Sequence, residues 1–298
     1  MELTFLGTGA GIPSKHRNVS SIALSVEDEL NHIWLFDCGE ATQHQFLHTT
    51  LKPRKITRIF ITHLHGDHTF GLPGLLSSRS FQGGEDPVTI YGPKGLKDYI
   101  DMSLSVSSSH LTYPIDVVEL TEGKVAETDT CTIYCQQLDH GIPSYGFRIV
   151  EKEKLGHLRV DKLREMGLEP GPIYQKIKNN PVTTLPNGQV IHRTDVMTPN
   201  RPGRILCIFG DTRFHSDYKD FAEGADLLIH EATFRHDKKE LAYEYYHSTT
   251  VDAATLAKKS HVKKLILPHL SSRYQPSDEK ELLKETRDVF PETYLEKD

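Results

Sequence analysis

The sequence predicts a layered α/β fold built on mixed sheets. Short apolar segments rich in β-branched and aromatic residues recur along the chain and alternate with amphipathic segments of helical length. Two of the apolar segments, at 20–26 and 33–37, follow each other closely enough to form a hairpin, so antiparallel and parallel pairing are expected together. A chain of 298 residues can bury one large core, and α/β folds of this length often form a single unit.

Each element is bounded by turn residues or by a change of hydrophobic period. The first strand, at 4–6, ends in a glycine-rich turn over 7–11, and the strand at 56–62 leads directly into a histidine cluster. Further strands are predicted at 88–91, 131–136, 146–150, 205–209, 227–230 and 264–267. Helices are predicted at 74–80, 96–104, 239–246 and 250–260.

The bulk composition excludes several classes of protein. Hydrophobic residues make up 37% and charged residues 26% of the chain, which is typical of a soluble globular protein. No segment approaches the ~20 apolar residues that a membrane-spanning helix needs, and the N-terminus lacks the basic and apolar regions of a secretory signal. The absence of such a signal favours a cytoplasmic location. None of the four cysteines forms a Cys-x-x-Cys pair, and each lies in or beside an apolar run, so we expect reduced, buried thiols.

The segment at about 151–204 differs from the rest of the chain. It contains ten basic and six acidic residues, a net charge of +4, whereas the whole chain carries −6. It also contains Gly171-Pro172, several further prolines and few periodic apolar residues. We interpret it as a flexible arm inserted into a single domain of residues 1–298, with a basic surface suited to a polyanion. A disordered linker and an ordinary solvated surface are the alternatives.

Four metal-ligating side chains follow a predicted buried strand within six residues. They are His63, His65, Asp67 and His68, in the motif His-x-His-x-Asp-His. Residues i and i+2 at an extended strand end point to the same side, and a turn at Gly66 can bring Asp67 and His68 towards a second ion. Imidazole and carboxylate ligands together suit zinc, although manganese and iron also enter such sites. A chance surface cluster of histidines is the alternative.

Three further candidate ligands each end an apolar strand. His140 follows the strand at 131–136, and Asp211 and His269 follow later strands in the same way. Because strand ends gather at one edge of a sheet, we expect these three side chains to join the histidine cluster. Taken singly, each could equally be a structural residue.

Several motifs together resemble one family. The His-x-His-x-Asp-His motif is typical of the metallo-β-lactamase superfamily. Within it, the chain closely resembles the bacterial ribonuclease Z family of tRNA 3′-processing endonucleases, from Phe5-Leu6-Gly7-Thr8-Gly9 to beyond His269. The narrower motifs are Pro13-Ser14-Lys15-His16-Arg17-Asn18, His230-Glu231-Ala232-Thr233, His247-Ser248-Thr249 and Gly171-Pro172.

The resemblance implies a metallo-β-lactamase fold, which is a four-layer αββα sandwich of two mixed sheets, here with an inserted tRNA-binding arm. It also implies two Zn²⁺ ions per subunit. The first ion would be held by His63, His65 and His140, the second by Asp67, His68 and His269, and Asp211 would bridge the two. His230 ends an apolar run as well, but the family does not use it as a ligand, and we expect a structural role for it.

The resemblance implies the reaction too. A hydroxide shared by the two ions would attack the phosphodiester and remove the 3′ trailer of precursor tRNA, leaving a 3′-hydroxyl on the tRNA and a 5′-phosphate on the trailer. Asp67 would take the proton of the water, and His247, oriented by Glu231, would protonate the leaving 3′-oxygen. A core histidine at a helix end is the alternative interpretation of His247.

For substrate binding, the resemblance points to two loops and the arm. One loop follows the glycine-rich turn, the other follows the last predicted ligand, and the arm would grip the body of the tRNA through shape and phosphate contacts. The residues concerned are Lys15, Arg17, Arg273, Gly171 and Pro172. The family also implies a homodimer.

Two other functions share parts of this pattern. Another hydrolase of the same fold, acting on a thioester or a small phosphodiester, would keep the metal ligands but would have no use for the arm or the Lys15 loop. A non-catalytic RNA-binding protein with structural zinc would have closed, four-coordinate sites. The presence of Asp67, Asp211 and His247 favours chemistry over that second alternative.

Overall fold

The computed structural model describes residues 1–26 and 31–298. Its strands are β1 (Glu2–Gly7), β2 (Gly9–Ala10), β3 (Ser21–Ser25), β4 (Ile33–Phe36), β5 (Ile56–Phe60), β6 (Val88–Gly92), β7 (Ile115–Glu119), β8 (Gly123–Glu127), β9 (Cys131–Leu138), β10 (Ser144–Glu151), β11 (Val182–Thr184), β12 (Val190–His192), β13 (Ile205–Phe209), β14 (Leu227–Ile229), β15 (Leu265–Ile266), β16 (Leu270–Ser271) and β17 (Thr293–Tyr294).

The helices are mostly short and lie between the strands. They are α1 (Thr42–Gln45), α2 (Gly66–Thr69), α3 (Leu72–Phe81), α4 (Leu96–Val106), α5 (Val160–Glu165), α6 (Pro172–Asn179), α7 (Tyr218–Ala222), α8 (Lys239–Glu244), α9 (Thr250–Lys259) and α10 (Glu279–Arg287). Short 3₁₀ turns lie at Phe46–His48, Pro53–Lys55, Arg193–Asp195, His236–Lys238 and Pro276–Asp278. No helix within the described ranges is long and apolar enough to cross a bilayer.

Two mixed sheets form the framework, as the sequence predicts. The first has the order β1-β3-β4-β5-β6-β7, in which β3 pairs antiparallel with β1 and β4, while β4 through β7 pair in parallel. The second has the order β17-β15-β14-β13-β10-β9-β8, with parallel pairing from β13 to β17 and an antiparallel pair of β8 and β9. Two-stranded pairs, β11-β12 and β16-β2, complete the strands described.

The alternation of side chains along β5 shows how the layers stack. Ile59 and Ile61 point to the face covered by α3 and α4, where they share a buried cluster with Leu72 and other apolar residues. Phe60 points the other way, and its ring centroid lies 5.3 Å from that of Phe147 on β10, in the second sheet. The two sheets therefore pack face to face with aromatic side chains between them.

The outer face of the second sheet is covered by helices as well. Small residues of α9, Ala253, Ala254 and Ala257, are fully buried in one cluster with Leu228 and Leu265 of the sheet. Because alanine side chains are short, α9 lies close to the strands beneath it. Helices on both outer faces and two sheets between them give the four-layer αββα order.

Residues 129–131 and 150–204 form a separate compact unit, which contains the basic arm. The segment holds two helices, α5 and α6, and the β11-β12 hairpin, whose strands pair antiparallel. Leu163, Ile177 and Ile191 are almost completely buried within it. The apolar residues that look sparse along the sequence therefore converge into a small core of their own.

All the predicted strands and helices have counterparts in the described structure, with ends that differ by one or a few residues. Within the larger unit, the sequence analysis missed the strands β2, β7, β8, β16 and β17 and the helices α1, α2, α7 and α10. In β7 the exposed acidic residues Asp116 and Glu119 obscure the apolar pattern, and α10 is rich in charge, with only Leu282 and Thr286 fully buried.

Candidate active site and metal centre

The strand ends bring the predicted ligands together. Four overlapping groups of three side chains each offer potential ligand atoms that lie within 4.8 Å of one another. The groups are His63, His65 and His140; His63, His68 and Asp211; Asp67, His68 and His269; and Asp211, His247 and His269. All seven residues predicted as ligands belong to these groups, together with His247, which was predicted for another role.

The local conformation of each strand end explains this convergence. The motif begins at His63, two residues after Ile61. His65 is extended, and Asp67 and His68 lie in α2, a single helical turn that follows it. His269 has a positive φ of 59°, a conformation that costs a non-glycine residue energy and is retained where the surroundings enforce it. The backbone amide of Gly11 donates to Asp67 Oδ2 at 2.8 Å, which ties the glycine-rich turn to the cluster.

The ring nitrogens of the cluster face one another and the carboxylates of Asp67 and Asp211. His68 Nε2 lies 3.3 Å from His269 Nε2, and His140 Nε2 lies 3.2 Å from His65 Nδ1. His63 Nε2 is buried, has no hydrogen-bond partner in the described structure and lies 3.6 Å from Asp211 Oδ2. Converging lone pairs of this kind, with a carboxylate among them, are satisfied by a cation, and imidazole with carboxylate oxygen is a donor set that suits zinc. The residues present therefore fit a metal centre.

The protonation states of His63, His65, His140 and Asp211 agree with that fit. His68 differs, because burial opposes its protonation but Asp211 and Asp37 raise its pKa well above the ordinary histidine value in the metal-free protein. Burial lowers the pKa values of His63, His65 and His140 below the ordinary histidine range, so these rings stay neutral, as ligands must be. Burial opposes ionisation of Asp211, but the neighbouring histidines, His269 foremost, hold its pKa well below the usual carboxyl value. Asp211 is thus an anion almost completely enclosed by imidazoles.

Asp37 and Thr62 orient two of the histidines, and the sequence analysis missed both. Asp37 Oδ2 accepts a hydrogen bond from His68 Nδ1 at 2.7 Å and another from the Thr62 hydroxyl at 2.9 Å. The Thr62 Oγ1 in turn lies 3.0 Å from His63 Nδ1. Because the Nδ1 atoms are engaged, the Nε2 lone pairs of His63 and His68 point into the cluster. Asp37, at the end of β4, follows the same strand-end rule that marks the ligands.

Replacing Asp37 with alanine is expected to weaken metal binding by about 10- to 100-fold, because the ring of His68 loses the partner that fixes its tautomer and orientation. Competition with a chromogenic chelator would measure the affinity. Asp101→Ala is the matched control, since Asp101 is an exposed residue paired with Lys97 on a surface helix. Unchanged affinity in a folded Asp37→Ala variant would show that His68 needs no carboxylate to position it.

A second carboxylate, Glu231, serves His247 and His269 in the same way. His247 Nδ1 donates to Glu231 Oε1 at 2.8 Å, and Glu231 Oε2 accepts from the Thr233 hydroxyl at 2.8 Å. The Thr233 Oγ1 also lies 2.9 Å from His269 Nδ1. Burial opposes protonation of His247, but Glu231 raises its pKa to about 9 in the metal-free protein. His247 is therefore a protonated, oriented imidazole at the edge of the cluster.

The backbone around His247 is fixed from both sides. Tyr246, directly before it, has a positive φ of 60°, and its carbonyl oxygen accepts from His140 Nδ1 at 2.8 Å. After it, Thr249 and Asp252 form a reciprocal capping box that starts α9. The His247 side chain remains 17% exposed, so a substrate atom can reach it from solvent.

Relatives named ribonuclease Z match the whole chain. Ribonuclease Z of Oceanobacillus iheyensis is 57% identical over 300 residues, which cover 100% of this chain and 98% of the relative. Ribonuclease Z of Bacillus cereus strain AH187 is 54% identical, covering 100% of this chain and 97% of the relative. The chain belongs to the ribonuclease Z family.

Comparisons of families and structures agree on the fold. A family profile described as "Anti-Pycsar protein Apyc1" matches residues 1–157. The crystal structure of the short form of human tRNase Z has a TM-score of 0.73 and 33% identity, covering 100% of this chain and 97% of the human one. A metallo-β-lactamase fold protein from Bacillus subtilis, YhfI, has a TM-score of 0.68 at 19% identity, covering 99% and 96% of the two chains. The protein is an endoribonuclease with the metallo-β-lactamase fold.

The loop that carries Lys15 borders a cavity of about 330 Å³, which is also lined by Ser271 and Tyr274. Lys15 is exposed, whereas Arg17 is only 8% exposed. The Arg17 guanidinium donates to Glu279 Oε1 at 2.8 Å and to Thr8 Oγ1 at 2.6 Å. The charge of Arg17 is thus neutralised within the protein, which the position of the residue in the motif does not reveal.

The remaining predicted residues lie in different surroundings. Arg273 is exposed, and its guanidinium carbon lies 4.9 Å from the ring centroid of Phe234. His230 is fully buried, its Nδ1 donates to the carbonyl of Glu231, and it is absent from the four groups formed by the described residues. In the arm, Gly171 and Pro172 are exposed, and Pro172 is the first residue of α6, a position that favours proline.

Proposed function

We propose that the protein removes the 3′ trailer of precursor tRNA by metal-dependent hydrolysis, leaving a 3′-hydroxyl on the tRNA and a 5′-phosphate on the trailer. The observation that carries this proposal is the His247–Glu231 pair beside the cluster of histidines and aspartates. A cluster of that kind without a proton donor would suit hydrolysis of a substrate with a good leaving group. A ribose 3′-oxygen is a poor leaving group and requires a proton.

We assign two zinc ions to the cluster. His63, His65 and His140 would hold the first, Asp67, His68 and His269 the second, and Asp211 would contribute to both, because its Oδ2 lies 3.6 Å from His63 Nε2 and 3.3 Å from His269 Nε2. Bound there, the ions would supply an acidified water and neutralise the charge of the phosphate in the transition state. The same donors would accept manganese or iron, and metal analysis distinguishes these cases.

The side chains around the cluster would handle the protons. Asp67, held by the Gly11 amide, would accept the proton of the attacking water. His247 uses Nδ1 to bind Glu231, so Nε2 is the nitrogen that would deliver a proton to the leaving 3′-oxygen. Glu231 would keep the ring in that orientation and compensate its positive charge while the proton is held.

On the substrate side, Lys15 and Arg273 are exposed cations suited to phosphates near the cut. We assign Arg17 to RNA binding through the shape of its loop, because its guanidinium is held by Thr8 and Glu279. The basic arm, with Gly171 and Pro172, would bind the tRNA body. A homodimer in the cytoplasm is the assembly and location that this assignment implies.

The decisive experiment maps the cut on a precursor tRNA carrying a 3′ trailer. We expect one cut at the junction of tRNA and trailer, and end analysis should find a 3′-hydroxyl and a 5′-phosphate. Metal content should be measured on the same preparation. Hydrolysis of a small phosphodiester without any action on the RNA would support the alternative small-molecule hydrolase, and tight RNA binding without cleavage would support the RNA-binding alternative.

Deleting the arm should separate binding from chemistry. The Glu151 amide donates to the Arg204 carbonyl at 2.9 Å, so a short Gly-Ser turn can replace residues 152–201. All seven proposed ligands lie outside the deletion, so zinc content and hydrolysis of a small diester should persist. Cleavage of precursor tRNA should fall mainly through KM, and the affinity of the intact enzyme should decrease as salt rises, because phosphate contacts release counterions. Normal tRNA cleavage by a zinc-loaded, armless variant would refute the exosite.

A further inference from the structure

A cluster of aromatic and cationic side chains lies directly beside His247, and the proposed reaction leaves it unused. A cavity of about 420 Å³ is lined there by Arg213, Phe214, Lys239, Tyr243 and His247. Glu240 and Asp252 also line it and offset much of the positive charge, so it is not a simple phosphate site. Tyr243 is 66% exposed as a residue, which is unusual for a large aromatic beside an active site.

We propose that this cavity is the subsite for the nucleotide on the 5′ side of the cut, and that the exposed ring of Tyr243 stacks on its base. The inference rests on the proposed function and deepens it. Since His247 would protonate the 3′-oxygen that leaves, the nucleotide that bears this oxygen lies against His247. The cavity that opens at His247 is then the space available to its ribose and base.

The tyrosine is part of a rigid surface rather than a mobile side chain on a loop. The guanidinium carbon of Arg213 lies 3.9 Å from the ring centroid of Tyr243 and 3.6 Å from that of Tyr246. Arg213 Nε also donates to the carbonyl oxygen of Tyr243 at 2.6 Å. The arginine is only 16% exposed, so its role is to support the rings and not to reach for a phosphate.

This support is tied to the metal cluster. The Arg213 amide donates to the carbonyl oxygen of Asp139, the residue before His140, at 2.8 Å. Arg213 itself lies two residues after Asp211, and Tyr246 contacts His140 through its carbonyl oxygen. A base resting on Tyr243 would therefore be held at a fixed distance from the reacting phosphate, which is the condition for efficient reaction.

Stacking on an aromatic ring tolerates any base, because every base has a π face. This suits an enzyme that would select precursor tRNA by shape more than by sequence. The subsite should consequently contribute affinity and alignment without strong sequence preference. Lys239, exposed and without an ion-pair partner among the described residues, also lines the cavity.

The test combines enzyme variants with modified RNA. Tyr243→Ala and Tyr243→Leu remove the aromatic face, the second while keeping apolar contact with Arg213, and Tyr243→Phe is the matched control. Each enzyme is assayed on a precursor tRNA with either a normal or an abasic nucleotide immediately 5′ of the cut. A third substrate, abasic immediately 3′ of the cut, controls for general effects of base loss.

On normal RNA, Tyr243→Ala and Tyr243→Leu should lower kcat/KM by about 5- to 140-fold, mostly through KM, which corresponds to the ~1–3 kcal/mol of a base–aromatic stack at 1.4 kcal/mol per tenfold. Tyr243→Phe should match the wild type. On RNA that is abasic 5′ of the cut, kcat/KM of the wild type should fall by a similar factor. For Tyr243→Ala and Tyr243→Leu, kcat/KM on this RNA should be no lower than on normal RNA. On RNA that is abasic 3′ of the cut, kcat/KM of Tyr243→Ala and Tyr243→Leu should remain below that of the wild type by the same factor as on normal RNA.

If the variants fall below the wild type by the same factor on normal and on 5′-abasic RNA, the subsite proposal is wrong, because a merely structural role of Tyr243 does not depend on the base. The proposal is also wrong if the deficit of the variants relative to the wild type disappears only on RNA that is abasic 3′ of the cut. That result would place the stacked base on the other side of the cut. If the wild type failed to cut normal precursor tRNA, the proposed function itself would fall, and the subsite with it.

Discussion

Replacing His68 with alanine is expected to abolish cleavage and to lower the metal content of the protein. His68 belongs to two of the four potential ligand groups, and its Nε2 lies 3.5 Å from both Asp67 Oδ2 and Asp211 Oδ2. The substitution therefore removes a donor next to two carboxylates at once. Losing an outer partner of a metal ligand already costs 10- to 100-fold, so loss of the ligand itself should cost on the order of 10³-fold or more in kcat/KM.

The measurement pairs metal analysis with single-turnover cleavage of precursor tRNA. His44→Ala is the matched control, because His44 is an exposed histidine outside the cluster. Thermal unfolding of both variants would separate metal loss from collapse of the fold. Full metal occupancy and wild-type activity in His68→Ala would remove the basis of the two-metal assignment.

Replacing His247 with alanine should have the second largest effect, and it should be an effect on rate. A positioned proton donor contributes about 10²- to 10⁴-fold, and since it acts chiefly in the transition state, kcat should fall while RNA affinity changes little. Glu231→Gln should cause part of the same loss, because the ring would keep a hydrogen-bond partner but lose the charge that favours its protonated form.

A substrate with sulfur in place of the bridging 3′-oxygen makes this prediction sharper. A thiolate leaves without a proton, so the deficit of His247→Ala should largely disappear on that substrate. His247 also belongs to a potential ligand group with Asp211 and His269, so its metal content must be compared with that of the wild type. A deficit that persists on the sulfur substrate, or a loss of metal, would indicate that His247 is a ligand or a packing residue.

The sequence predicted the parts of the site that follow directly from strand ends. His63 and its neighbours come after β5, and His140, Asp211 and His269 come after other strands of the two sheets. The expectation that strand ends gather at one edge of a sheet was therefore sufficient to predict that they form one cluster. The four-layer order was predicted only through the resemblance to a family, because periodicity identifies elements and faces but not which sheet covers which.

What the sequence could not reveal depends on contacts between distant residues. Asp37 lies 31 positions before His68, and Arg17 lies 262 positions before its partner Glu279. Asp37 follows a strand as the ligands do, but its position in the sequence does not show which histidine it contacts, and nothing near Arg17 in the sequence points to Glu279. The support of Tyr243 by Arg213 is of the same kind, because the two residues are 30 positions apart.

The paired use of a carboxylate and a threonine at two places restricts how this centre can change. Asp37 binds His68 directly and reaches His63 through Thr62, while Glu231 binds His247 directly and reaches His269 through Thr233. One substitution at either carboxylate therefore disturbs two imidazoles. Changes at position 37 or 231 will depend strongly on which residue occupies position 62 or 233, so such mutations should be epistatic. Attempts to retune metal preference by altering single ligands must treat each carboxylate, its threonine and both histidines as one unit.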